Sequence, residues 1–334
     1  MIDGMTGTEN GSIAGDMTGG DAIRRKIEAL ATTLSLPTVR RALGTLEGEH
    51  PSHRRFGSDD IMDIRPYEPG DEARRIDWHT SARSGRPMVV HRQRRVTSRV
   101  WMLMDTGREM TGSCESGEMA WQVAANGLRM FAALSLRRSD DISLVCADSA
   151  SITRVPFHGG FAQFEHTLDR ALERPWDHPR NMDALLDYAR RINDRNALIV
   201  LATDEHALGE RQLGAIHAIA RTHPMVIVDV ETINPFAARQ RTVADADTGR
   251  RLPAFLIDAV SKREVDTHRS YLAAQLEAQL HAGGSTLMRA SSSEAMFRTF
   301  VRTVSVTLAR TGFSTHPVAP PKALGATGKA GDRL

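Results

Sequence analysis

The feature that most constrains the fold is a regular alternation of short apolar runs with amphipathic segments from Val100 onward. The runs VWMLMD, ISLVCAD, ALIVLATD and PMVIVDV have the length and composition of buried strands. Segments with helical spacing lie around them, over residues 117–137, 161–172, 182–192 and about 210–222. SITRVPF predicts a strand antiparallel to ISLVCAD, and GSTLMRA predicts a last short strand before a helix over residues 293–308. This pattern predicts an α/β sheet with helices on both faces.

Two of these strands end in an aspartate, Asp105 in VWMLMD and Asp204 in ALIVLATD. Ligands of such sheets bind at the carboxyl ends of the strands, so we expect both side chains at one functional edge. Upstream, residues 21–46 have apolar positions at helical spacing and predict two short helices interrupted at Pro37. PMVVHRQRRVTSRV, just before the first of these strands, predicts extended structure.

Composition excludes several classes of protein. The net charge of +2, with 41% hydrophobic and 25% charged residues, is that of a globular chain and not of a polycation that coats nucleic acid. The N-terminus lacks the basic start and apolar run of a signal peptide, and no stretch is apolar over a membrane-spanning length. We therefore expect a cytoplasmic protein. Residues 1–20 and 313–334, rich in Gly, Thr, Pro and Ala, are predicted to be disordered.

The segment RPYEPGDEARRIDWHTSAR mixes guanidinium, carboxylate and aromatic groups at high density. An active site is disfavoured, since the chain has no nucleophile elbow, Walker-type phosphate loop or His/Cys metal spacing. The interpretation we favour is an ionic scaffold, in which Arg65, Arg74 and Arg83 pair with Asp71 and Asp77. Its aromatic residues would pack beneath the ion pairs, and Asp71 would cap a short helix that includes EARRIDW. Part of the segment could also form a partner surface.

The same segment resembles the signature of the bacterial domain-of-unknown-function 58 family. The pattern R-x-Y-x-x-G-D-x-x-R-x-I-D-W-x-x-x-A-R is matched at ten positions: Arg65, Tyr67, Gly70, Asp71, Arg74, Ile76, Asp77, Trp78, Ala82 and Arg83. The resemblance implies a von Willebrand A-like, Rossmann-like α/β domain over residues 100–312, after an N-terminal helical and β extension over residues 21–99. It also implies a partner, because members are typically encoded beside MoxR-type AAA+ ATPases. We therefore expect a non-enzymatic accessory of such an ATPase, acting on a client protein in its maturation or assembly.

Von Willebrand A domains hold a divalent ion through Asp-x-Ser-x-Ser, a Thr on a second loop and an Asp after a later strand. The chain matches this pattern at Asp105 and Asp204, whereas Gly107 and Glu109 replace the serines, and HPRNMDALL replaces the Thr loop. A rebuilt Mg²⁺ or Ca²⁺ site of Asp105, Glu109 and Asp204 is one alternative, since hard cations prefer oxygen ligands. With three of five positions changed, we favour a degenerate site that holds no cofactor.

A second alternative is nucleic-acid binding. Residues 83–99 contain six arginines and no acid, and Arg92, Arg94 and Arg95 form a basic patch that suits phosphate contacts. Aromatic residues for base stacking make up only 5% of the chain. A solvated basic face on an edge strand therefore explains this run better than a nucleic-acid partner.

Overall fold

The computed structural model describes residues 14–33, 59–67, 76–94, 99–194, 197–237, 243–246, 248–282 and 285–310. Its strands are β1 (Asp59–Pro66), β2 (Met88–Arg94), β3 (Arg99–Asp105), β4 (Asp141–Ala147), β5 (Ile152–Val155), β6 (Leu198–Asp204), β7 (Met225–Val230) and β8 (Thr286–Ala290). Its α-helices are α1 (Ala14–Thr33), α2 (Trp78–Ser84), α3 (Ala120–Arg138), α4 (Phe161–Leu172), α5 (Met182–Arg190), α6 (Glu210–Ala220), α7 (Ala259–Ala282) and α8 (Ser293–Arg310).

Six strands form one sheet in the order β5-β4-β3-β6-β7-β8. All neighbours pair in parallel except β4 and β5, which pair antiparallel as SITRVPF predicts. Numbered within the sheet, this order is 3-2-1-4-5-6, the doubly wound order in which the chain reverses direction between the first and fourth strands. The reversal lies between β3 and β6, the two strands that end in Asp105 and Asp204.

The alternation of side chains along each strand sends successive residues to opposite faces of the sheet. In β3, Met102 and Met104 join a core with α3, α4 and α8, whereas Leu103 joins a second core with α5, α6 and α7. Every residue of β6 and β7 is buried, since helices cover both faces. The predicted fold class, a Rossmann-like α/β sheet with helices on both faces, is confirmed.

The N-terminal helix differs from its prediction. One helix, α1, begins at Ala14, so its first turns lie within the segment predicted to be disordered. Ile23 and Ile27 of α1 are buried in the core of α3 and α8, and Arg24 forms an ion pair with Asp169 of α4. The second predicted helix lies outside the described residues, as do most of the two segments predicted to be disordered.

A separate two-stranded antiparallel sheet is formed by β1 and β2. PMVVHRQRRVTSRV was predicted to be extended, and its described part is confirmed by β2 and the start of β3, whereas residues 95–98 lie outside the described residues. Strand β1 was not predicted. Its sequence, DDIMDIRP, has few of the apolar residues by which we recognised strands. Among the described residues, no helix combines the length and apolarity needed to cross a membrane.

Candidate functional site

Acidic side chains are concentrated where the parallel strands of the large sheet end. Five of them are buried: one ends β3, one directly follows β4, one ends β6, one directly follows β6, and one lies in β7. They are Asp105, Asp148, Asp204, Glu205 and Asp229. Burying a carboxylate lowers the stability of the fold unless a cation or several hydrogen-bond donors compensate its charge, so a positively charged group is expected at this edge.

The guanidinium group of Arg180 supplies that charge at the centre of the edge. Arg180 binds Asp204 through both terminal nitrogens, and its Nη1 lies 2.8 Å from Asp204 Oδ1. Its Nε lies 3.7 Å from Asp105 Oδ2 and 3.7 Å from Glu109 Oε2, an ion-pair distance to both. The three residues that the sequence proposed as metal ligands therefore surround one arginine. We define Asp105, Glu109, Arg180 and Asp204 as the Arg180 cluster.

The loops on either side of the Arg180 cluster hold the arginine in place. Arg108 donates its backbone N–H to the carbonyl of His178 at 2.8 Å, and the backbone N–H of Arg180 donates to Glu109 Oε2 at 2.9 Å. Gly107 permits this approach, because a Cβ there would lie 2.5 Å from the Cα of Arg180. The glycine at the position of the first serine of the metal pattern thus makes room for the backbone of Arg180.

Asp105 is held by neutral donors as well as by Arg180. Its Oδ1 accepts the backbone N–H of Gly107 at 2.9 Å, and its Oδ2 accepts the hydroxyl of Thr203 at 2.8 Å. Burial raises the pKa of Asp105 to about 6, although the nearby guanidinium opposes this shift. Burial alone would lower the pKa of Arg180, but the surrounding carboxylates raise it above its ordinary value. Arg180 is therefore a permanent cation.

The other acids at this edge are also paired with arginines. Arg174 binds Asp148 and donates to the hydroxyl of Thr106 at 3.2 Å. Arg289 binds Glu205 and lies 3.4 Å from Asp229 Oδ2, and Arg269 lies 3.1 Å from Glu205 Oε1. Burial raises the pKa of Asp229 to about 7, against the opposing charge of Arg289.

The Arg180 cluster does not fit a divalent ion. A metal site needs oxygen ligands that face an empty position, whereas these carboxylates face a guanidinium group that both oxygens of Asp204 already bind. Within the part of the chain that the structure describes, no group of three His, Cys, Asp or Glu residues is placed to hold a metal ion. That the protein binds no Mg²⁺ or Ca²⁺ stays a prediction, which titration can test.

A cleft of about 770 Å³ opens beside the Arg180 cluster. Its lining includes His206, Thr232 and Arg269, together with a hairpin described over residues 243–246 and 248–253. Backbone bonds define that hairpin, with Leu252 N–H donating to the carbonyl of Val243 at 2.9 Å. The sequence marked residues 241–253 only as a polar excursion from the sheet. In the structure, the described part of this segment forms a wall of the cleft.

The signature segment is only partly described. Gly70, Asp71 and Arg74 lie outside the described residues, Arg65 lies in β1, and Arg83 is exposed in the last turn of α2. Of the basic patch, Arg92 and Arg94 lie in β2 and Arg95 lies outside the described residues.

Asp77, in the same signature, is the N-cap of α2. It accepts the backbone N–H of His79 at 3.0 Å and the hydroxyl of Thr80 at 2.8 Å. These hydrogen bonds lower the pKa of Asp77. The predicted helix through EARRIDW is wrong at its end, because Ile76 pairs with Val89 as a β-bridge and the helix begins only after Asp77.

The proposed packing of the aromatic residues beneath an ionic network is also wrong. Trp78 exposes 71% of its surface, and Tyr67 is exposed as well. The role of Asp77 as a helix cap accounts for this aspartate of the signature without an ion pair, since an N-cap aspartate satisfies free backbone N–H groups.

The comparisons with known proteins establish the family. A model described as "Protein of unknown function DUF58" matches residues 63–259, more than half of the 334 residues. The chain belongs to this family. It is 28% identical over 222 residues to Uncharacterized protein Rv1480 of Mycobacterium tuberculosis (strain ATCC 25618 / H37Rv), covering 64% of this chain and 68% of that protein. The figures are the same for Uncharacterized protein Mb1516 of Mycobacterium bovis (strain ATCC BAA-935 / AF2122/97).

Two solved structures are similar at low identity. An aerotolerance-related membrane protein from Bacteroides fragilis NCTC 9343 is 9% identical with a TM-score of 0.40, covering 63% of this chain and 99% of that chain. The SpRpn10 VWA domain is 10% identical with a TM-score of 0.36, covering 62% of this chain and 95% of that chain.

Sequence reasoning missed the arginines of this edge. Arg174, Arg180, Arg269 and Arg289 are far from their carboxylate partners in the chain, and only the folded sheet brings them together. One signal was present in HPRNMDALL, where an arginine occupies the loop in which the metal pattern expects a hydroxyl.

Proposed function

We propose that the chain is a non-enzymatic protein-interaction module whose docking surface is the carboxyl edge of the sheet, and which needs no metal ion there. The observation that supports this proposal is the Arg180 cluster. A side chain of the protein itself compensates Asp105, Glu109 and Asp204, so the edge is complete without a bound cation.

The chemistry of the cluster favours binding over catalysis. Asp105, Asp204, Glu205 and Asp229 are buried and paired with arginines, which leaves them poorly suited to exchange protons with a substrate. A metal-dependent module has an open coordination position for a partner's carboxylate, whereas a guanidinium group bound on several sides offers none. A partner would therefore contact the side chains around the cluster.

The proposed partner is a MoxR-type AAA+ ATPase together with its client protein, and this part of the proposal depends on the resemblance to the family. Work beside an ATP-driven machine is consistent with the expected location in the cytoplasm. The chain would then act as an accessory that brings a client to the ATPase, in the maturation or assembly of that client.

An affinity-tagged copy purified from the native cell, with and without ATP, tests the proposal. We expect an AAA+ ATPase to co-purify, and the nucleotide-free complex to survive EDTA, since the Arg180 cluster needs no metal. Consistent absence of an ATPase from both preparations would reject the partner. Loss of the nucleotide-free complex in EDTA, matched by its loss in Asp105→Ala, would instead favour the alternative of a rebuilt metal-dependent site.

A further inference from the structure

In the cleft beside the Arg180 cluster, the acidic side chains are paired within the chain. Among its acids, Asp204 and Glu109 face Arg180. Asp245 accepts the backbone N–H and the hydroxyl of Thr248, at 2.6 and 2.8 Å, within its own turn. The negative groups of the cleft are therefore committed to partners within the chain.

Two arginines of the hairpin, unlike these acids, have no charged partner among the described residues. Arg250 and Arg251 line the cleft and are exposed, and neither forms an ion pair with a carboxylate of the described residues. They are adjacent in sequence, and the hairpin carries them on backbone hydrogen bonds, such as that from Asp245 N–H to the carbonyl of Arg250 at 2.8 Å. Two such guanidinium groups favour an anionic occupant, since arginine binds carboxylates in a bidentate manner.

The same cleft has apolar walls. Ile233, Val243, Leu252, Pro253 and Val265 contribute to its lining. Directly after Pro253, a short 3₁₀ turn leads to α7 and carries large apolar side chains in solvent. Phe255 is 83% exposed, and Leu256 and Val260 are exposed as well. Exposed aromatic groups beside a cleft are typical anchors of protein interfaces.

We propose that this cleft binds an acidic segment of a partner protein, in which an Asp or Glu side chain contacts Arg250 and Arg251 and a neighbouring apolar side chain packs near Phe255. The inference rests on the proposed function, because it names the chemistry that the interaction module recognises. A nucleic acid fits less well, because phosphate binding depends on many cations, whereas this cleft offers two uncommitted arginines beside apolar walls.

A display library of random 12-residue peptides tests this proposal without any knowledge of the partner. Peptides are selected on the full chain and then measured by fluorescence anisotropy against variants Arg250→Glu and Arg251→Glu. The matched control is Arg221→Glu, which makes the same charge change on an exposed residue at the end of α6, near the start of β7 and thus at the opposite edge of the sheet. Circular dichroism and thermal unfolding establish that each variant is folded.

We expect the selected peptides to be rich in Asp or Glu next to Leu, Ile or Phe. Their affinity should fall about tenfold or more in each hairpin variant and in Phe255→Ala, and should change less than twofold in Arg221→Glu. The proposal would be overturned if no acidic peptides were selected, or if the control variant lost affinity equally. It would also be overturned if oligodeoxythymidylate displaced the peptides completely and bound as tightly as they do or more tightly.

The result is separable from the test of the proposed function. If an ATPase co-purifies equally with the wild-type chain and with Arg251→Glu, the interaction module stands and the cleft is not its docking site. If the acidic peptides bind as expected and no ATPase co-purifies, the cleft stands and the ATPase partner is wrong.

Discussion

The structure predicts in most detail how replacement of Arg180 by methionine changes the free energy of unfolding. Methionine keeps much of the volume of the side chain but leaves Asp204 and Asp105 buried without their cation. Arg180 is only 13% exposed and Asp204 only 2% exposed, so solvent cannot compensate the remaining charge. Removal of one partner from a buried ion pair costs about 3–5 kcal/mol of unfolding free energy. That is a large part of the ~5–15 kcal/mol by which a domain is usually stable.

Urea denaturation of Arg180→Met at pH 8 measures this loss, and Arg211→Met is the matched control. Arg211 forms an ion pair with Asp183 at 2.7 Å, but its side chain is 82% exposed. Because exposed pairs contribute at most about 1 kcal/mol, the control should lose far less. Burial already raises the pKa of Asp105 to about 6, so its protonation at pH 5 should make the loss in Arg180→Met smaller there. Equal losses in the two variants would refute the account of a buried, charge-compensating arginine.

Three further predictions concern particular residues. Gly107→Ala should lower the unfolding free energy by about 1–3 kcal/mol or more, because its Cβ would meet the backbone of Arg180; Gly214→Ala, at a helical position with open space, should be neutral or stabilising in the same denaturation assay. Burial raises the pKa of Asp229 from 3.8 to about 7, so its contribution to stability is fully present below pH 3.8 and is lost as the pH rises to about 7; Asp229→Asn should flatten the fall of unfolding free energy between about pH 4 and 7. Asp77→Ala should abolish the slow hydrogen exchange of the first amides of α2, whereas Asp77→Asn should retain part of it, and unchanged exchange in the alanine variant would contradict the cap.

The sequence predicted the sheet well because its strands are buried on both faces. Runs such as ALIVLATD have no polar residue until their last positions, which separates them clearly from the amphipathic helices between them. β1 was missed for the opposite reason, since DDIMDIRP is as polar as a loop. In an isolated pair, a polar strand such as β1 is stabilised mainly by contacts with its partner strand, and those contacts cannot be read from the local sequence.

The acidic residues of the candidate site could be predicted from the sequence, whereas its arginines could not. Asp105 and Asp204 end strands that the helix–strand alternation predicts to be parallel, and the carboxyl ends of parallel strands lie at the same edge, so their common edge could be inferred. Arg180 lies in an irregular loop before α5, and nothing in its neighbours indicates that the chain turns it toward Asp204. The metal pattern indicated this arginine indirectly. Its Thr loop has an arginine here instead of a hydroxyl residue, and a guanidinium group can supply the positive charge of a cation.

The central claim is that Arg180 takes the place of a metal ion at the carboxyl edge of the sheet. Titration of Mg²⁺ and Mn²⁺ into the wild-type chain, followed by isothermal calorimetry at pH 8, tests this claim most directly. The account predicts no saturable heat of binding at this site, since the guanidinium group of Arg180 holds both oxygens of Asp204. Saturable binding of either ion that disappears in Asp105→Ala would contradict it.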